Sequence, residues 1–308
     1  MKAKWIRMGI GRSVDDWIES IADERTKALA KDNTIVTGGC IVSMLLGEPV
    51  NDFDVYFRNR ETAVAIAEYY VKLFQANPPT RFAGTDKAVK IAIVPDDNRV
   101  KIVVKSVGIA GESGSDDYRY FEQQQGFDED SAAFVESVTA DAKEAVAADA
   151  AKPKYRPVFL SANAITLSHK MQLIVRFFGE PETIHSTHDF VHCTCHWDSK
   201  SRELHLPPKA LESILVKDLQ YLGQSHYPIC AMIRTRKFIK RGWNITAGQY
   251  LKIAWDISKL KLDDYSVLEE QLIGVDSAYF TQVLQLLRAK SPDKIDAAYL
   301  MEIIDRVF

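Results

Sequence analysis

The pair Gly38-Gly39, with Asp52-Phe53-Asp54 beginning thirteen residues after Gly39, constrains this chain more than any other feature. Thr34 to Thr37 is a short β-rich run that stops at the two glycines, and the apolar run Ile41 to Leu46 follows. That order predicts a strand, a tight turn and a helix. Glycines at such a turn permit positive φ and close backbone approach, and the first amides of the helix offer unpaired N–H donors that suit phosphate oxygens. Gly47 and Pro49 end the helix. From Asp52 to Phe57 the pattern has a period of two, with Phe53, Val55 and Phe57 on one face of the predicted strand and Asp52 and Asp54 on the other. Two carboxylates on one face can share a hard divalent cation, magnesium or manganese, which would bridge phosphate oxygens during displacement at phosphorus. The competing reading of the two aspartates is a solvated strand edge.

Composition excludes some classes. With 308 residues, 46% hydrophobic and 26% charged, the chain can bury a large core and divides naturally into two domains. A formal net charge of −3 argues against a protein that coats nucleic acid electrostatically, while leaving room for a local basic patch. Four cysteines, Cys40, Cys193, Cys195 and Cys230, show no disulfide framework, and the first residues are charged rather than signal-like. A reducing cytoplasm is the expected setting. No apolar run approaches the roughly 18 residues that a membrane span needs.

Along the chain, a helix is expected from Val14 to Ala30. A regular one follows from Arg60 to Phe74, with Ala63, Ile66, Ala67, Tyr70, Val71 and Phe74 along one face. Val89 to Val94 and Val100 to Val107 read as strands joined by a turn containing Asp96 and Asp97. Residues 108–157 lapse into Gly, Ser, Gln, Ala and acidic residues, as in GESGSD and TADAKEAVAADAAKP, and read as an insertion. Sheet-like segments resume at Val158 to Leu167, continue through Met171 to Phe178, and run on to Leu206. From Pro207 the pattern turns helical, with helices expected at Pro208 to Leu222, Ile229 to Arg241 and Ala247 to Leu260 and two more toward Phe308. The expected boundaries are therefore 1–206 for a catalytic domain and 207–308 for an all-helical one.

The stretch GGCIVSMLLGEPVNDFDVYF, Gly38 through Phe57, resembles the signature of the tRNA nucleotidyltransferase and poly(A) polymerase group within the DNA polymerase β-like superfamily. It departs from that group at Val42-Ser43, where an Arg-Asp pair is usual. A second stretch, MQLIVRFFGEPETIHSTHDFVHC from Met171 to Cys193, is similar to a segment of nucleotidyltransferase-like proteins of large DNA viruses and phages, which carry an acidic residue at the position of Asp189. The resemblance implies an α+β polymerase β-like domain, its mixed sheet flanked by helices, followed by a helical domain that closes over the nucleotide. It also implies a nucleoside triphosphate donor, Mg2+ or Mn2+ as cofactor, and transfer of an NMP unit to an acceptor hydroxyl with release of pyrophosphate. An RNA 3′ end is the first expectation for the acceptor and a protein side chain the second. A fold that has lost catalysis and serves as a nucleotide sensor or scaffold is the other class of function.

On that resemblance, Asp52, Asp54 and Asp189 are the expected metal-binding and catalytic carboxylates, Asp189 lying on a strand read from Asp189 to Trp197. Gly38, Gly39 and Ser43 are expected on the nucleotide. Lys170 and Arg176 are further phosphate candidates, as are Arg234, Lys237 and Arg241 in the basic run Arg234 to Arg241 around Phe238 and near Trp243. A solvated helix face is the plainer reading of that run. His185, His188, His192, Cys193, Cys195 and His196 place six potential zinc ligands within twelve residues. On a strand, however, Cys193 and Cys195 would face away from His192 and His196, and the spacing matches no common zinc knuckle. The sequence does not specify the oligomeric state or the base preference.

Overall fold

A computed structural model describes residues 2–76, 89–95, 99–106, 153–160, 163–223 and 225–262, together with 264, 267, 271, 299 and 301–302. The chain forms two compact units. Within the described residues, the sheet unit takes the chain up to Ile184 and again Cys195–His205, whereas His185–Thr194 and the residues from Leu206 onward belong to the helical unit. The backbone thus passes from one unit to the other three times among the described residues.

The sheet unit opens with α1 (Ala3–Glu19) and α2 (Glu24–Asn33) rather than the single helix expected from Val14 to Ala30. Asp23 imposes the break, because its carboxylate accepts the Thr26 amide at 2.8 Å and starts a new helix where the old one would have continued. β1 (Thr34–Thr37), α3 (Gly39–Leu46) and β2 (Phe53–Phe57) follow as the spacing predicts, and α4 (Arg60–Ala76) buries every apolar residue of the expected face. β3 (Val89–Pro95) and β4 (Val100–Ser106) pair antiparallel with each other as a separate two-stranded sheet. The main sheet is completed by β5 (Pro157–Leu160), β6 (Ala164–Leu167), β7 (Met171–Phe178), β8 (His196–Asp198) and β9 (Leu204–His205).

Its order is β5-β6-β7-β2-β1-β8-β9. β1 lies between β2 and β8, antiparallel to both, while β2 and β7 run parallel, so the sheet is mixed. β1 is buried along its whole length, as a central strand must be. One face of the sheet is apolar: Val55 pairs with Val36 and Leu173, Val36 pairs with Trp197, and all four are essentially inaccessible. Trp17 of α1 packs toward Phe57 at 6.5 Å and donates its indole N–H to the Tyr70 hydroxyl of α4 at 2.8 Å. This satisfies both polar groups inside the core.

In the helical unit, α6 (Pro208–Val216), α7 (Pro228–Lys240) and α8 (Ala247–Ser258) follow the predicted pattern, although α6 ends six residues before Leu222. Lys217 takes a left-handed conformation there, φ 51°, and stops the helix. The short α5 (Pro181–His185) leads into the unit. The strand expected from Asp189 to Trp197 does not form as such. Val191–Thr194 is a 3-10 turn, and extended structure begins only at His196. Of the insertion expected at 108–157, residues 108–152 lie outside the described set, as do nearly all of the residues expected to form the last two helices, while 153–157 are described and Pro157 already opens β5.

Candidate functional site

At the end of β1 the chain turns at Gly38 with φ 87° and ψ −148°, a conformation that an L side chain rarely adopts. A Cβ placed there would sit 3.0 Å from Oδ2 of Asp54. The absent side chain therefore lets the backbone lie directly against that carboxylate. Gly39 opens α3 with no side-chain cap on its first amides. A Gly-Gly turn, an uncapped helix start and a carboxylate thus meet at one corner of the sheet.

The register extends this corner into a row. Thr37 pairs with Asp54 on one side and His196 on the other, Asp54 pairs with Gln172, Gln172 with Thr166, and His196 with His205. Paired residues on neighbouring strands share a face, so Thr166, Gln172, Asp54, Thr37, His196 and His205 form a polar stripe opposite the apolar face, with successive members about 4.8 Å apart. Thr37 is buried, and its hydroxyl donates to the Cys195 carbonyl at 2.8 Å. Asp54 and Gln172 are half-buried. The His196 and His205 rings stack at 4.6 Å, and burial, followed by the neighbouring His205, lowers the His196 pKa to about 4.

Asp52 is exposed just before β2. The loop that delivers it is tied down twice by Lys170: the Lys170 ammonium donates to the Val50 carbonyl at 2.8 Å, and the Phe53 amide donates to the Lys170 carbonyl at 2.7 Å. Cys40, the second residue of α3, is fully buried beside both carboxylates. Burial, then Asp54 and Asp52, raises its thiol pKa well above the ordinary value. A neutral thiol there adds no charge to the corner.

Ser43 is buried in α3. Arg176 is buried toward the far end of β7, donating to the Asn163 side chain at 2.9 Å, roughly 13 Å along the strand from Gln172 at about 3.3 Å per residue. Asp189 belongs to the helical unit, where one oxygen accepts the Ser225 hydroxyl at 2.7 Å and the other is in an ion pair with Arg234. Lys237 is exposed and Arg241 half-exposed in the same unit. Phe238 and Trp243, the aromatic residues of and beside the basic run, enclose His192 at 4.8 and 4.3 Å between ring centroids. Burial, then Arg241 and His188, depresses the His192 pKa to about 3.

The histidine and cysteine run is divided, with His185, His188, His192 and Cys193 in the helical unit and Cys195 and His196 in the sheet unit. His188 meets the Cys193 carbonyl through Nδ1 at 3.2 Å. Among the described residues, no three His, Cys, Asp or Glu side chains converge as a metal group. Asp52 and Asp54 nevertheless suit magnesium or manganese, offering hard oxygens and a formal charge of −2 that a divalent ion balances. Thr37, Gln172, His196 and Cys40 are the residues at this corner that the motif alone did not bring forward. The signal for Gln172 is its polarity in the otherwise apolar start of β7.

A mixed sheet flanked by helices, in which a strand, a positive-φ glycine turn into a short helix and an antiparallel returning strand carrying Asp54 follow one another, sets the class of this protein as α+β. Within that class, the chain belongs to the Gabija anti-defense 2 family, whose sequence model matches residues 10–217. It is 23% identical over 139 residues to Gabija anti-defense 2 of Bacillus phage SPbetaL7, an alignment covering 45% of this chain and 33% of the relative. The matched region thus spans about a third of that curated relative. Among solved structures, the chain is similar to the Bacillus stearothermophilus CCA-adding enzyme in complex with CTP, at 11% identity and a TM-score of 0.39 over 88% of this chain and 51% of that one. The Thermotoga maritima CCA-adding enzyme complexed with tRNA aligns at 10% identity and a TM-score of 0.39 over 90% of this chain and 53% of that one.

Proposed function

We propose that this chain transfers an NMP unit from a nucleoside triphosphate to an acceptor hydroxyl, releasing pyrophosphate. The observation that carries the reading is the seating of the Gly38 backbone against the Asp54 carboxylate at the start of α3. Gly38 and Gly39 present backbone to the triphosphate, and Asp52 and Asp54 hold Mg2+ or Mn2+. When bound, the cation offsets phosphate charge and favours in-line displacement at the α-phosphorus. The acceptor oxygen bonds to that phosphorus, the α–β bridging bond breaks, and pyrophosphate leaves with the electron pair. The hydroxyl proton passes to an aspartate oxygen of the pair. Lys170 contributes by fixing the loop that carries Asp52. Asp189 and Arg234 satisfy each other within the helical unit.

An RNA 3′ hydroxyl is the acceptor in this reading. The name of the phage relative, Gabija anti-defense 2, favours a component of that defence as the molecule acted upon, which brings a protein hydroxyl forward as the alternative acceptor. A second reading, nucleotide binding without turnover, is favoured by Val42-Ser43, which stand where the resembled group usually carries an Arg-Asp pair. The test is incubation of the purified protein with Mg2+ and each α-labelled triphosphate, offering RNA, Gabija proteins or no acceptor, beside the Asp52→Ala/Asp54→Ala variant. Label transferred by the wild type alone supports transfer and names the acceptor. Tight nucleotide binding with no label transferred favours the second reading.

A further inference from the structure

We infer that Gln172 is the third oxygen donor of the metal–nucleotide site, a neutral amide standing beside the Asp52/Asp54 pair. The inference rests on the functional reading above and deepens it. β7 runs parallel to β2, with Gln172 opposite Asp54 and Met171 opposite Phe53. Met171 and Leu173, on either side, are anchored in the apolar face with essentially no exposure, so the period of two fixes Gln172 on the aspartate face. The interstrand spacing of about 4.8 Å puts the amide within reach of any group bound by Asp54.

The two flanks of Asp54 differ in one decisive way. On the β1 side, Thr37 is buried and has committed its hydroxyl to the Cys195 carbonyl. On the β7 side, Gln172 is half-buried, and its side chain makes no hydrogen bond within the described protein. The other polar side chain of β7, Arg176, is by contrast held by Asn163. A ligand of Asp54 therefore extends toward β7, where an acceptor oxygen and an N–H2 donor are both available.

The amide's neutrality matters as much as its position. Asp52 and Asp54 already balance a divalent cation, and a third carboxylate would leave a net negative corner facing a triphosphate that is itself strongly anionic. With a glutamine there, the site holds a bare cation weakly and gains the rest of its affinity when phosphate oxygens arrive. Gln172 is thus placed to make cation binding depend on nucleotide.

The experiment is titration of Mn2+ into the full chain, followed by electron paramagnetic resonance, for wild type, Gln172→Glu, Gln172→Leu and Asp54→Asn, with and without a non-hydrolysable ATP analogue. Circular dichroism melts check that each variant folds. We expect Gln172→Glu to bind Mn2+ alone about tenfold more tightly than wild type and to lose much of the enhancement by nucleotide, and Gln172→Leu to bind several-fold more weakly in both arms. Unchanged Mn2+ binding in both Gln172 variants, with binding lost in Asp54→Asn, overturns the role of Gln172 and leaves the functional reading standing. Unchanged Mn2+ binding in Asp54→Asn overturns that reading, and the inference with it.

Discussion

Two stretches of this chain concentrate chemistry-bearing side chains, and the fold treats them in opposite ways. Gly38, Gly39, Asp52 and Asp54 are drawn into one corner of the sheet, where a turn without a side chain touches a carboxylate. His185 to His196, denser in reactive groups, is divided between two units: His196 joins the polar stripe of the sheet, whereas His192 and Asp189 are committed to local contacts of the helical unit. His192 lies within an aromatic enclosure, and Asp189 is held by Arg234 and Ser225. Density of reactive residue types is therefore a poor guide to a site. What matters is whether the local geometry leaves the groups directed at a common point.

The largest expected effect is at the first stretch. Asp54→Ala should lower nucleotidyl transfer at least about a thousandfold, since removing a metal-binding carboxylate removes the stabilisation of the transferring phosphate. The melting curve should stay close to that of wild type, because the half-buried carboxylate adds little to the core. Comparable turnover in the variant would break the contrast between the two stretches. Gly38→Ala comes next. It carries about 1–3 kcal/mol of backbone strain and crowds Asp54, so nucleotide affinity should fall together with thermal stability. Fluorescence titration with a labelled triphosphate checks it.

At the second stretch the effects should fall on stability and leave transfer unaffected. Asp189→Ala strands the Arg234 guanidinium where side-chain exposure is only 18%, and should destabilise the helical unit by about 3 kcal/mol, measured by urea denaturation. The double variant Asp189→Ala/Arg234→Met should recover part of that loss. The histidines make the same point through pH. His192 and His188 have folded pKa values lowered to about 3 and about 4 from an ordinary 6.5, in each case chiefly by burial. Both are neutral in the fold, whereas the unfolded chain takes up protons below pH 6.5. Their stabilising contribution is therefore complete above that pH and is lost progressively as pH falls toward 3, by an amount on the order of a few kcal/mol. His192→Phe should flatten the acid limb of the stability profile followed by tryptophan fluorescence. Lys237→Ala, at an exposed position, should change stability by no more than about 0.5 kcal/mol.

Short-range order was largely legible. The strand-glycine-helix-strand unit from Thr34 to Phe57, the face of α4 and the extent of β7 all follow from periodicity and from glycine and proline punctuation. Pairing between distant segments was not, because periodicity says which face is buried without saying which strand lies alongside. Gln172 therefore stood unnoticed 120 residues from Asp52 until the parallel register set it beside Asp54. The Asp189 to Trp197 segment misled for a related reason: its alternating apolar residues suit a strand, yet Phe190 and His192 gain more by entering an aromatic cluster with Phe238 and Trp243 than a strand would give them. In α1 and α2, one aspartate capping an amide outweighed a helical pattern otherwise continuous from Val14 to Ala30.

The passage of the backbone out at His185, back at Cys195 and out again at Leu206 bears on how such a protein can be inherited. A gene cut at any one of those points delivers one unit incomplete: a chain that stopped at His205 would keep Asp189 and His192 but lose Arg234, Ser225, Phe238 and Trp243, the residues that make their burial tolerable. Recombination between related genomes can therefore exchange this pair of units only as a whole, which ties the history of the glycine–aspartate corner to that of the helices.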